Sequence, residues 1–366
     1  MPRRHDIDAL RAIAFGLLIL YHVGMYYVAG WDFHLKSAYT AEWLRWPMRF
    51  VNLWRMDLIF LLSGVALALL ARRQATGALL RLRSWRLLVP LAFGMAVVVP
   101  IQPYLQGVSN GLIEPGFAAF LARYYSGGPW PRGAFDGWDF GVTWNHLWYL
   151  VYLWVYTMLL LALRPLLERC RAPFLRLRGA RLLVAPALPL ALYALVLAPR
   201  FPATRDLVHD WHLHAVYFSF FAYGWWIAAD AAFWAEAKRL RHVALAAALA
   251  CFLFHASFRE AVLTKNLYSW CAIVALLGYA HAHLNRPFRW LGWANESVYP
   301  WYVLHQSILL VLGFWLAPYA LGPVLEPAAI LAGTLLGCWL LTDLVVRRSR
   351  WVGPLFGAAR LAPARP

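Results

Sequence analysis

Apolar runs and short polar segments alternate along the whole chain. Ten runs reach or approach the roughly 20 residues a helix needs to cross a bilayer. They fall at about Ala9–Ala29, Leu53–Ala71, Leu87–Pro103, His146–Leu163, Leu182–Leu197, Leu213–Ala232, Val243–Phe254, Leu267–His281, Val298–Leu316 and Ala328–Val346. Prolines bound the third run, and Pro186 and Pro189 predict kinks in the fifth. Tyr104–Thr143, rich in Gly, Pro and Trp, reads as a long loop, and the basic AKRLRH stretch before the seventh run as a short one. The pattern predicts an all-α, polytopic integral membrane protein with about ten transmembrane helices. Residues 1–352 make up the membrane domain, and residues 353–366, rich in Pro, Ala and Arg, a cytoplasmic tail. No segment reads as a separate soluble domain, and no internal repeat stands out.

Charge orients the helices. Most of the 34 Lys and Arg residues lie after the second, fourth, sixth and eighth runs and at the two ends of the chain. That bias predicts both termini in the cytoplasm. A formal net charge of +17 would suggest nucleic acid as the partner of a soluble protein. Here the chain is 62% hydrophobic and only 14% charged, so the basic residues serve topology, nucleic acid is excluded and the lipid bilayer is the partner. The 21 Trp and 18 Tyr residues supply interfacial belts. Four scattered cysteines (Cys170, Cys251, Cys271 and Cys338) suggest neither a disulfide framework nor a zinc site. The first run carries Arg11 and His22, and no clear small-residue cleavage site follows it, so a cleaved signal peptide is not expected.

Those two residues are where chemistry enters. A charged or titratable group inside a membrane helix is expensive and usually faces a cavity or a partner. Arg11 and His22 are eleven residues apart, about three helical turns, so they share a face roughly 16 Å apart along the axis. Asp8 lies one turn before Arg11 and can pair with it. The plainer reading makes Arg11 a boundary anchor and His22 a hydrogen-bonding core residue. Arg83 and Arg86, one turn apart at the cytoplasmic entrance of the third run, can grip phosphate or act as topology anchors. With Arg11 they place three arginines at the cytoplasmic level. Asp57 falls at about the depth of His22, where a carboxylate would orient an imidazole; an Arg55–Asp57 pair is the plain alternative. His146, opening the fourth run on the outer side, and His305, inside the ninth, are candidates for substrate contact or for capping and packing.

Arg11-x10-His22, the Arg83-x-x-Arg86 pair and the ten-run layout resemble the acyltransferase-3 family of membrane acyltransferases. DALRAIA, DLIFLLSG (Asp57 to Gly64), HLWYL (His146 to Leu150) and YPWYVLHQS (Tyr299 to Ser307) extend the resemblance over nearly the whole membrane domain. RMDLIFLLSG and the aromatic segment before it are similar to the subgroup of glucan-biosynthesis protein C enzymes, which succinylate periplasmic glucans. Other family members O-acetylate lipopolysaccharide and other polysaccharides. The resemblance implies a multi-pass protein of the bacterial inner membrane, with acetyl-CoA or succinyl-CoA as donor substrate and no permanently bound cofactor. Arg11, Arg83 and Arg86 would hold the CoA phosphates. His22, with Asp57, would act as general base on a glycan hydroxyl or accept the acyl group as an acyl-imidazole. The glycan acceptor would arrive near His146 and His305. No metal is needed, and no His/Asp cluster has ligand spacing. Any second-step transferase would be a separate periplasmic partner. The rival reading is a secondary transporter of an anionic solute bound by the same arginines, but the paired, interrupted helices of such folds are missing.

Overall fold

The computed structural model describes residues 3–258 and 262–357; of the expected tail, residues 358–366 lie outside the described residues. Among the described residues the fold is all-helical. In chain order the helices are α1 (His5–Tyr27), α2 (Arg45–Ala71), α3 (Thr76–Phe93), α4 (Ile101–Ser109), α5 (Phe117–Tyr125), α6 (Trp148–Ala162), α7 (Arg164–Leu175), α8 (Ala180–Val184), α9 (Ala187–Val196), α10 (Trp211–Ile227), α11 (Ala231–Ser257), α12 (Val262–His283), α13 (Leu291–Leu316), α14 (Gly322–Leu340) and α15 (Val352–Leu355).

Helices occupy all ten predicted runs. Among the described residues, seven helical stretches are long and apolar enough to cross a membrane: His5–Tyr27, Glu42–Ala71, Thr76–Ser109, Asn145–Ala162, Ala231–Ser257, Leu291–Tyr319 and Gly322–Val346. The other three runs fall on α8–α9, which together form a shorter apolar stretch, on α10 with 17 residues, and on α12, whose 22 residues include Lys265, Asn266 and Ser269. The fifth run breaks where predicted, with Pro186 at the start of α9.

Three stretches differ from the sequence expectation. The short third run is part of a longer helical path, Thr76–Ser109, in which a π-helical turn at Gly94–Val98 joins α3 to Val99, Pro100 and α4. AKRLRH is not a loop: the Asp230 side chain caps α11 by accepting from the Phe233 amide at 2.6 Å, and the helix runs through the basic residues. Tyr104–Thr143 is partly helical, because Phe120, Tyr124, Trp130, Ala134 and Phe135 bury one another in a small core of their own.

The chain divides into two compact units. The first takes in the residues up to Ala14, Arg49–Arg83 and Tyr152–Gly292. Within it, α2 and α10 approach closely at a pair of glycines. A Cβ on Gly224 would lie 1.9 Å from the Leu61 carbonyl oxygen, and one on Gly64 2.0 Å from that of Phe221. Only glycine lets two backbones approach so closely, as in small-residue packing between membrane helices. Phe60 stacks on Tyr217 beside this crossing, with centroids 4.7 Å apart. The Trp270 indole donates to the Leu182 carbonyl at 2.7 Å, tying α12 to α8. The Trp225 indole donates to Glu168 at 2.9 Å, tying α10 to α7.

The second unit comprises Phe15–Met48, Ser84–Val151 and the residues from Trp293 on. Val23, Tyr26, Tyr27, Leu105, Leu309 and Ile330 bring parts of α1, α4, α13 and α14 into one core. Three buried hydrogen bonds tie these parts together. Tyr26 donates to the Gly313 carbonyl at 3.1 Å, and the buried Glu326 accepts from Tyr27 at 3.1 Å and from Ser37 at 2.6 Å. The segment between α1 and α2 is thereby held, with Lys36 donating to the carbonyls of Met25 and Val28.

Candidate active site

Three histidines meet in the second unit. His22 comes from α1, His305 from α13, and His146 from the single turn Asn145–Leu147 that precedes α6. His22 Nδ1 lies 2.8 Å from His305 Nε2, and the two rings stack with centroids 5.0 Å apart. His305 Nδ1 lies 3.0 Å from the Trp301 carbonyl one turn back. His146 sits edge-on to His305 at 5.2 Å. His305 and His146 are buried, while His22 is partly accessible.

The carbonyl assigns the protons. The Trp301 oxygen can only accept, so His305 Nδ1 carries a hydrogen toward it. A neutral ring then leaves His305 Nε2 as an acceptor, and His22 Nδ1–H donates to it. The lone pair of His22 is therefore on Nε2. One proton order runs from His22 through His305 to a backbone carbonyl, and it holds the His22 ring in one tautomer and one orientation. Phe33 lies nearly parallel to His22, 6.3 Å away and tilted by 13°, so an aromatic face covers one side of the ring.

His146 is fixed by the same logic. Its Nε2 lies 3.1 Å from the Val303 carbonyl and its Nδ1 3.3 Å from Gln102 Nε2. It is thus the Nε2–H tautomer, with both ring nitrogens engaged inside the protein. Tyr302 donates to the His146 carbonyl at 2.5 Å. Gln102 is the hub. Its Nε2 also donates to Ser307 at 2.7 Å, and its Oε1 accepts from Asn145 at 2.9 Å and Gln306 at 3.0 Å. Ser307 in turn donates to the Val98 carbonyl at 2.7 Å. Asn145 is held at a positive φ of 42°, a conformation asparagine tolerates better than most residues, with Thr143 on its side chain at 2.8 Å.

The remaining predicted residues divide between the units. Arg11 lies in the first unit and pairs with Asp8 at 3.8 Å, as the spacing suggested; Asp8 also takes Arg3 at 2.9 Å. α1 is unbroken from His5 to Tyr27, so Arg11 and His22 keep their three-turn separation along it. Arg83 belongs to the first unit and Arg86 to the second; they stay one turn apart on α3, and the Arg86 carbonyl accepts from Tyr299 at 2.9 Å. Asp57, in the first unit, is buried and accepts from Ser269 at 2.5 Å. At His22 Nδ1 the structure gives His305 as a partner, which spacing along the chain did not suggest.

Gln102, Asn145, Gln306 and Phe33 were not singled out from sequence. A signal existed for two of them. Gln306 directly follows His305, and Gln102 is an amide inside an apolar run, which the cost of a buried polar group marks as worth explaining. Asn145 and Phe33, on irregular segments, carried none.

One family model, described as an acyltransferase domain, matches residues 4–343. No curated protein and no solved structure matches the chain.

Proposed function

The chain belongs to the acyltransferase-3 family, and from that membership and the oriented His22–His305 pair we propose that it moves an acetyl or succinyl group from cytoplasmic acyl-CoA to a hydroxyl of a periplasmic or cell-surface glycan. The observation that carries the reading is the 2.8 Å contact between the two imidazoles. It leaves His22 Nε2 as the basic nitrogen of a ring that cannot turn without losing its partner.

In this reading His22 Nε2 takes the proton of the acceptor hydroxyl as that oxygen attacks the thioester carbonyl, and CoA leaves as the thiol. In the covalent variant Nε2 attacks the thioester itself, and the acyl-imidazole passes its group to the hydroxyl. His305 serves both routes as the positioning residue, since each needs the Nε2 lone pair aimed at one point. His146 and the Gln102 network support His305 from behind. Arg11, Arg83 and Arg86 hold the donor phosphates, and an extended pantetheine arm covers the roughly 16 Å from the level of Arg11 to that of His22. Asp57, buried and accepting from Ser269, is kept as the carboxylate that would assist His22 in the transfer. The glucan-biosynthesis protein C-like subgroup, a layout of about ten helices with cytoplasmic termini, the bacterial inner membrane and a periplasmic transferase partner complete the proposal.

Two measurements test it. Purified protein given acetyl-CoA or succinyl-CoA and a glycan should release CoA and acylate the glycan, and His22→Ala should not. Mass spectrometry of envelope polysaccharides with and without the protein should then report acyl mass and acceptor together. Flux of an anionic solute through reconstituted protein without acyl transfer would favour the transporter reading instead.

A further inference from the structure

Away from the histidines, the first unit holds an apolar groove of about 410 Å³. That lies within the roughly 300–1,000 Å³ of sites that accept one ligand. Leu167, Cys170, Phe174 and Leu177 form one wall, spaced to share a face of α7 and the turn after it. Ala185 and Pro186, at the α8–α9 break, and Trp226 of α10 form others. Polar groups in the walls are mostly satisfied: Ser219 donates to the Ala215 carbonyl at 2.8 Å and Tyr223 to that of Pro186 at 3.1 Å. Trp226 is the exception. It is buried at 7% exposure, and its indole N–H has no acceptor among the described residues.

The rim of the groove is cationic. Between residues 164 and 181 the chain has arginine at 164, 169, 171, 176, 178 and 181 against the single acid Glu168. Arg176 and Arg178 are exposed and flank the lining residue Leu177, and Arg169 is exposed beside the lining residue Cys170. Arg178 folds onto the carbonyls of Leu175 and Leu177, 2.7 Å from each, which keeps its charge at this end of the groove. The Glu236 carboxylate pairs with Arg239 at 2.6 Å, accepts from the Gly179 amide at 2.7 Å and also attracts Arg178, leaving Arg176 and Arg169 as the rim charges it does not engage. An apolar face and an arginine face on one short helix are the features of an element lying at a membrane surface.

We propose that this groove binds one anionic diacyl phospholipid of the surrounding bilayer. An acyl chain fills the apolar trough, packing on the Trp226 ring, and the phosphate lies against Arg176 and Arg178. A hydrocarbon tail joined to an anion matches an apolar trough with a basic rim, and basic pockets beside membrane helices select such headgroups. The site does not depend on the acyl-transfer reading.

The test uses the full-length protein in mild detergent, exchanged into mixed micelles of phosphatidylglycerol and phosphatidylcholine with matched chains. Native mass spectrometry counts the lipid retained. One phosphatidylglycerol per chain is expected, favoured at least tenfold over phosphatidylcholine. Arg176→Gln with Arg178→Gln should erase that preference. Ala185→Phe, which fills the trough and leaves the arginines in place, should remove the bound lipid. Cys170→Trp, at an exposed rim position, blocks the same trough and decides the matter if Ala185→Phe does not fold. Equal retention of the two lipids would overturn the proposal. So would unchanged retention in folded trough-filling variants, or recovery of a polyprenyl phosphate in place of a diacyl lipid from native membranes.

Discussion

Replacing His305 probes the site most directly, because its ring does nothing in the proposed chemistry except hold His22. His305→Ala removes the acceptor of His22 Nδ1–H, a contact of 2.8 Å, together with the ring that stacks on it at 5.0 Å. Losing one partner of a buried hydrogen bond costs about 1–3 kcal/mol. If that cost appears in the transition state, at 1.36 kcal/mol per tenfold the rate falls by about 5–150-fold. Loss of tautomer control pushes toward the upper end, since a ring with its proton on Nε2 has no lone pair to offer there. His305→Gln should recover part of the loss, because the Gln Oε1 can reach the position of the imidazole Nε2 and accept from His22. The assay is acyl transfer at saturating acyl-CoA by folded protein at matched amounts, with donor KM measured alongside. A fall in kcat at constant KM, partly restored by Gln, is expected. His305→Ala within twofold of the parent rate, while His22→Ala is inactive, would refute the orienting role.

The other expectations are briefer. His22→Ala should reduce transfer by at least 10²-fold, the lower bound for a lost general base, with membrane insertion and donor binding intact in a pull-down on CoA resin. Arg83→Ala or Arg86→Ala should weaken donor affinity by about 1.5–3 kcal/mol, the cost of one charge-assisted hydrogen bond, read by donor titration in detergent; unchanged affinity in both would make them topology anchors. Gly224→Ala should lower the midpoint of thermal unfolding sharply, because its Cβ would sit 1.9 Å from the Leu61 carbonyl oxygen and must push α2 and α10 apart. Reporter fusions after Phe356 and within Tyr104–Thr143 should report opposite sides of the membrane; the same side for both would reject cytoplasmic termini.

Hydropathy revealed where helices lie because burying a backbone in lipid leaves few choices: each long apolar run must satisfy its amides internally. It was less informative where the chain has options. Lys238, Arg239 and Arg241 look like a loop in a hydropathy profile, yet Asp230 caps the helix and the charges ride on its surface. The Gly- and Pro-rich stretch after α4 hides a helix, because what stabilises it is an aromatic cluster whose members are up to 15 residues apart, from Phe120 to Phe135. The Gly64–Gly224 crossing was invisible for a different reason. Each glycine is unremarkable in its own helix, and only the pairing of α2 with α10 makes the missing side chains matter.

The same distinction explains the site. Spacing along one helix is legible, so His22 and its relation to Arg11 and Asp8 followed from α1 alone. Contact between helices is not legible, and His22 meets a residue 283 positions away. Depth matching offered Asp57 as an orienting carboxylate, with an Arg55–Asp57 pair as the alternative, but depth fixes only one coordinate; the structure gives His305, in the same unit, as a partner of His22 Nδ1. An imidazole at Nδ1 orients the ring differently from a carboxylate. A carboxylate would both aim the imidazole and stabilise the imidazolium by charge, raising its basicity. His305 aims the ring and offers only a neutral acceptor, itself anchored to a backbone carbonyl that cannot take up a proton. Orientation is thus separated from charge: the direction of the Nε2 lone pair derives from the Trp301 carbonyl, fixed by the backbone of α13. Such a nitrogen suits the proposed transfer from an acyl-CoA thioester, whose thiol is a good leaving group and whose reaction needs a well-aimed lone pair.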